Sequence, residues 1–273
     1  EYNWINGKDF SVKHMYLMDR WLLLMIFTRF EKQKVEDLSV HAKTLGTLLK
    51  KHSDLVFVIS KRAPEAMNGV NRLLEGAIDD LDGETLRTRE IALMQVMETD
   101  IVYTEPKIMD SMCNYIAAWE AKYLHELVDL KDKIVLDLGA GTGRLTFAAA
   151  PIAKKVYASE PVDRLREYMR DKIHQLKLNN VVVQDGVVLN IPHEDDTFDV
   201  VMGGHVVGDH YDDEINEMSR VCKDGGMIVI CNGDDDIKRT KPDNELIKHG
   251  FKSHYHKSSI GGDIYNYTKV VHK

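Results

Sequence analysis

Ile134-Val-Leu-Asp-Leu-Gly-Ala-Gly-Thr-Gly-Arg-Leu145 reads as a strand, a turn and the start of a helix. Residues 134–138 form an apolar run suited to a buried parallel strand, interrupted only by Asp137 near its carboxyl end. Glycines then alternate at Gly139, Gly141 and Gly143, around Ala140 and Thr142, and an apolar segment over 145–153 reads as a helix. A Cβ in such a turn would block both the tight backbone and the approach of a ligand to bare main-chain N–H groups.

The glycine register selects among ligands. A dinucleotide fingerprint, G-x-G-x-x-G, would place its third glycine at position 144, where Arg144 stands. The motif here is G-x-G-x-G behind an acid in the strand. About 20 residues on, Glu160 ends a second strand-like run over 155–159, the position of an acid that holds a ribose diol. Nicotinamide enzymes share that acid, so the glycine register and Asp137 carry the distinction.

The remaining elements alternate as a doubly wound α/β fold requires. A charged amphipathic helix spans 162–178, strands lie at 181–184, 198–202 and 227–231, and a helix covers 211–222. After a small helix at 244–248, strands at 251–257 and 264–272 flank Gly261-Gly262, which predicts an antiparallel hairpin. Upstream, residues 107–127 read as one long helix, with Tyr115 and Trp119 as candidate ligand-facing aromatics. Residues 1–104 show no strand pattern and read as helices over 12–30, 35–49, 64–81 and 84–98. The chain is therefore divided into an all-α N-terminal domain, 1–104, and an α/β domain, 105–273.

The length of 273 residues accommodates one large or two modest domains. A formal charge of −8 argues against a phosphate-backbone partner, and nucleic acid is not expected. Cys113, Cys222 and Cys231 match neither a disulfide framework nor a zinc spacing, which fits a reducing, cytoplasmic setting. The apolar run at 21–27 is too short to span a bilayer and lacks a small-residue cleavage site after it. No membrane span is expected, and a targeting segment ahead of Glu1 is left open. The acid groups 195–196, 212–214 and 234–236 sit at turns and helix starts, where acids are favoured anyway, so no metal is expected.

Residues 107–273 resemble the class I S-adenosylmethionine (SAM)-dependent methyltransferases, in their quinone-biosynthesis-like, small-molecule branch. The resemblance rests on the motif above, on Asp185-Gly-Val-Val-Leu-Asn-Ile-Pro192, Asp195-Asp-Thr-Phe-Asp-Val-Val201 and Arg220-Val-Cys-Lys-Asp-Gly-Gly226, and on the terminal hairpin. It implies a seven-stranded Rossmann-like sheet with an antiparallel last strand, SAM as cofactor and S-adenosylhomocysteine as product. It also implies that Gly139, Ala140, Gly141 and Gly143 lie against the methionine part. Asp137 would orient that loop or meet the amino group through water. Glu160 would hold the ribose, Pro161 and Val162 would flank the adenine, and Asp185, Gly186 and Val187 would read its edge. Gly203 and Gly204 would wall the cleft, and His205 is the candidate base, with a pocket-wall role as its alternative.

The expected function is methyl transfer to an O, N or C centre of a small molecule, with the helical half as lid and acceptor-site builder. Position 203–206 reads Gly-Gly-His-Val rather than the Asn/Asp-Pro-Pro-aromatic tetrad of nucleic-acid amino methylation. The alternative is a non-catalytic SAM-binding module whose helical half docks a partner. A homo-oligomer through that half is left open.

Overall fold

A computed structural model describes residues 5–235 and 237–273, and the chain divides into two compact units, Glu1–Glu105 and Pro106–Lys273. The described part of the first unit is helical. Its helices Arg20–Phe27, Val40–Lys51 and Gly83–Val96 start where Asp19, Ser39 and Asp82 accept a hydrogen bond from the N–H three residues on. The Asp19 cap splits the expected helix 12–30 into a 3-10 turn, Val12–Leu17, and Arg20–Phe27. Arg62 donates to the Tyr16 and Met18 carbonyls at that break. Pro64 opens a 3-10 turn rather than the helix itself, which runs Met67–Glu75 and stops at Gly76. A helix that periodicity did not suggest, Ser53–Arg62, completes the bundle. Gly46 and Gly69 let backbones touch: a Cβ there would lie 2.0 Å from the Leu73 carbonyl oxygen and 1.9 Å from that of Phe27.

The second unit is built on a seven-stranded sheet in the order β3-β2-β1-β4-β5-β7-β6. The strands are β1 Ile134–Leu138, β2 Lys155–Ser159, β3 Val181–Gln184, β4 Phe198–Gly203, β5 Cys222–Ile230, β6 Lys252–Lys257 and β7 Asp263–Val270. The first five run parallel, and β7 enters antiparallel between β5 and β6. This is the expected doubly wound sheet with an antiparallel last strand. Side chains alternate across it. Leu136, Val201, Ile228 and Ile230 pack with Ile215 and Met218 on one face, and Val135, Val156, Val200 and Val229 with Leu145 and Ala149 on the other.

The helix expected over 107–127 is instead three short ones, Pro106–Met112, Asn114–Ala117 and Lys122–His125. Cys113 is extended (ψ 119°), and the Tyr115 backbone then lies against Gly233, where a Cβ would sit 2.2 Å from the Tyr115 carbonyl oxygen. Close packing on the end of the sheet overrides the helical period. No described helix is long and apolar enough to cross a membrane.

Candidate functional site

At the carboxyl end of β1 the chain enters the glycine turn with Gly139, Gly141 and Gly143 all at positive φ (59°, 58° and 91°). Such angles cost residues with a Cβ free energy, which accounts for the alternation read in the sequence. The three positions differ in what a Cβ would meet. At Gly139 it would strike Val206 and at Gly143 Phe147, whereas at Gly141 nothing comes closer than the Gly139 oxygen at 4.0 Å. Gly141 therefore borders space free of protein atoms. The turn leads into the helix Arg144–Ala149.

Glu160, at the end of β2, is 3% exposed and grips this turn. Its Oε2 accepts from Gly141 N–H (2.8 Å) and its Oε1 from Val162 N–H (2.9 Å). Burial pushes the carboxyl up to about 7, against the opposing pull of those two hydrogen bonds. Each carboxylate oxygen has a second acceptor position, so the grip leaves capacity for two hydroxyl donors.

Arg166 Nη1 donates to the Glu160 and Pro161 carbonyls (both 2.7 Å) and lies 3.4 Å from Asp185 Oδ1. It thereby joins the second and third expected contact segments. Val162 is buried, while the Asp185 side chain is 74% exposed at the rim. Gly186 stands where a Cβ would come 2.4 Å from Ser159 Oγ, a buried hydroxyl without a hydrogen-bond partner. Val187 forms an isolated bridge to Asn190.

Asp137 is 1% exposed, and its Oδ2 accepts from Thr146 Oγ1 at 2.6 Å. Burial raises it to about 7, with the Thr146 bond and the Arg144 charge opposing. Arg144 Nη2 donates to the Cys231 carbonyl at the end of β5 (2.8 Å), beneath the Trp119 ring at 4.8 Å.

Sequence reasoning missed a further anchor. Asp110, on the first short helix, accepts from Thr142 Oγ1 (3.0 Å), Tyr168 OH (2.9 Å) and Lys172 Nζ (3.1 Å). It ties that helix and the helix Asp163–Leu176 to the middle of the glycine turn. No spacing rule links Asp110 to Thr142, and only Thr142's place within the motif hinted at a role.

Next to β1 in the sheet, β4 ends at Gly203, where a Cβ would meet Val206 and the Leu138 oxygen. Gly204 faces Arg144 Nη2, which a Cβ would meet at 2.2 Å. His205 follows at φ 59°. Its main-chain N–H donates to Asn232 Oδ1 (3.1 Å), and its Nε2 accepts from Gly233 N–H (2.9 Å). An Nε2 that accepts carries no proton, so the ring is the neutral Nδ1–H tautomer, with Nδ1 3.2 Å from Asp235 Oδ2. Burial lowers its pKa, with the Asp235 bond opposing. Burial would raise Asp235, but hydrogen bonds from His205 and Arg239 hold it well below the usual carboxylate range. Both imidazole nitrogens are thus committed within the protein.

Among the described residues no group of three or more His, Cys, Asp or Glu side chains is placed to hold a metal ion. Asp195 and Asp235 pair with Arg220 and Arg239, and Asp212 with His249. Asp236 lies outside the described residues. A cavity of about 320 Å³ lined by residues 125–130 and Ile152 opens where the chain enters β1 and β2, at the opposite end of those strands from the turn.

Residues 135–226 match the family described as a methyltransferase domain. The chain is 29% identical over 113 residues to an uncharacterized methyltransferase of Anoxybacillus flavithermus, covering 40% of this chain and 51% of the relative. It is 27% identical over 143 residues to a demethylmenaquinone methyltransferase of Lactococcus lactis subsp. lactis, covering 50% and 54%. The chain thus spans about half the length of the curated relatives it matches. A solved structure of a putative S-adenosyl-L-methionine-dependent methyltransferase from Methanococcus maripaludis is similar with a TM-score of 0.49 and 19% identity, covering 63% of this chain and 94% of that one.

Proposed function

We propose that this chain, its second unit being a class I SAM-dependent methyltransferase domain, transfers a methyl group to a small-molecule acceptor by direct displacement. The observation that carries the reading furthest is the Glu160 carboxylate, buried and bound to Gly141 N–H at 2.8 Å beside the open space at that glycine. It joins the two elements that a nucleoside ligand would need to meet at once. The residues present fit the group: Glu160 keeps lone pairs for a ribose diol, and a bare backbone borders the space beside it.

When bound, SAM supplies a methyl carbon on a sulfonium; the acceptor's lone pair forms the new bond, and the C–S pair returns to sulfur, leaving a neutral thioether. The chain's own part is alignment and exclusion of water. The Gly139–Gly143 backbone and Glu160 would hold the nucleoside end, with Val162 and the 185–187 segment beside the base. His205 is assigned a positioning role: its Nε2 lone pair holds Gly233 N–H, so it orders the turn after β5 rather than taking a proton. The acceptor is accordingly one that arrives with its lone pair available, and any proton it carries leaves to solvent. The helical unit, which lies outside the matched residues 135–226, is assigned the choice of acceptor.

Titration calorimetry with S-adenosylhomocysteine, then release of labelled methyl from SAM against amines, phenols and carboxylic acids, tests the proposal. Saturable binding with turnover of at least one acceptor class supports it. Absence of binding at millimolar nucleoside overturns it, and binding without any turnover points to a non-catalytic module.

A further inference from the structure

Arg144 has one guanidinium nitrogen too many for its surroundings. Nη2 is bonded to the Cys231 carbonyl, but Nη1 is shut off from water and has no hydrogen-bond partner. A charged donor left in this way costs more than a neutral one, and native proteins rarely leave it without a ligand, ion or water to satisfy it. The site around it is shaped for the cation. Trp119 covers its face at 4.8 Å, and Gly204 is bare where a Cβ would overlap Nη2. Asp137 feels its charge from nearby, yet no ion pair joins the two among the described residues. A buried guanidinium with an unused donor, near a buried carboxyl with which it forms no ion pair, matches the two ends of an amino acid.

We infer that Arg144 Nη1 receives the α-carboxylate of the cofactor's amino-acid end, with Asp137 on the ammonium side. This rests on the function proposed above and assigns the residue that reads the carboxylate there. Arg144 follows Gly143 directly and opens the helix after the turn, and its guanidinium reaches across to the Cys231 carbonyl beside Gly204. A carboxylate on the acceptor has the same chemistry, and the experiment separates the two sources. Burial depresses the Arg144 pKa, with the Cys231, Asp137 and Tyr115 groups opposing.

The test uses the full chain and two probes without acceptor: SAM, and decarboxylated SAM, which lacks only the carboxylate. Wild type is expected to prefer SAM by ~10–100-fold, the range of a charge-assisted hydrogen bond. Arg144→Met should bring that ratio near one by weakening SAM alone, leaving the decarboxylated analogue within ~3-fold. Arg144→Lys should restore part of the preference. Unchanged binding of the analogue also shows that the variant is folded. If Arg144→Met keeps the wild-type ratio, the carboxylate is read elsewhere and the inference fails, the acceptor becoming the anion to try. If it weakens both probes equally, Arg144 only shapes the site, and the inference fails as well. If wild type binds neither probe, the proposed function itself falls, a result distinct from either.

Discussion

The carboxyl ends of β1 and β2 and those of β4 and β5 belong to one sheet but are built from different materials. On the first side a turn of main-chain amides is gripped by a single buried carboxylate, Glu160, whose partners Gly141 and Val162 lie within 19 residues of it. On the second side, segments far apart in the chain are knitted by side chains: His205 to Asn232, Gly233 and Asp235, and Asn232 N–H to Asn266 Oδ1 at 2.8 Å. A backbone cradle tolerates few substitutions, since each residue is needed for its conformation. A side-chain network can be re-aimed one residue at a time. The first side is thereby suited to constancy, and the second to change by single substitutions.

The sharpest way to break this contrast is Gly141→Val. At φ 58° a β-branched residue is strained, and its side chain would enter the open space beside the turn. SAM affinity is expected to fall by ~100-fold or more, on the order of 3 kcal/mol. A titration with wild-type affinity would show that the ligand does not touch this glycine.

Glu160→Gln comes next. It keeps the shape but offers only one oxygen to the Gly141 and Val162 amides and the ribose, so the loss should be about 1–3 kcal/mol in binding. An unchanged dissociation constant would place the sugar elsewhere.

The same carboxyl makes a pH prediction. Its folded value, about 7, lies above the ordinary 4.5, and Asp137 behaves likewise from 3.8. Between these values the folded state holds protons that the unfolded chain has released. The stabilisation is complete below the unfolded pKa and is lost as pH rises through about 7. Denaturant titrations of the ligand-free protein should show wild type losing more stability than Glu160→Gln as pH rises from about 5 to about 8. Parallel losses would mean that Glu160 is not buried in its neutral form.

The smallest effect is expected on the other side. His205→Gln should lower turnover by less than ~10-fold and leave the pH profile unmoved, whereas loss of a general base costs ~10²–10⁴-fold. A large loss with a shifted profile would return His205 to catalysis and erase the distinction between the two sides.

Much of the first side was legible in advance, because a glycine needed for its φ, a strand acid and an acid at the next strand end are local signals. The terminal hairpin was equally readable from its strand pattern and Gly261, which turns at φ 96°. The broken helix over 106–125 was not, since the apolar period there is helical and only packing against Gly233 interrupts it. Asp110 was invisible for a similar reason: it meets Thr142, Tyr168 and Lys172, 32 to 62 residues away, with no periodicity connecting them.

The succession of strands along the chain, the glycine turn and the two carboxyls at its flanks were legible in the amino-acid sequence alone, because backbone conformation and the apolar run of a strand are set by residues a few positions apart. What each nitrogen of His205 bonds to, which groups engage the oxygens of Glu160 and which Arg144 nitrogen lacks a partner were decided only by the tertiary structure. Hydrogen bonds are satisfied between segments that meet through packing, and the protonation and reach of each polar group follow from that meeting.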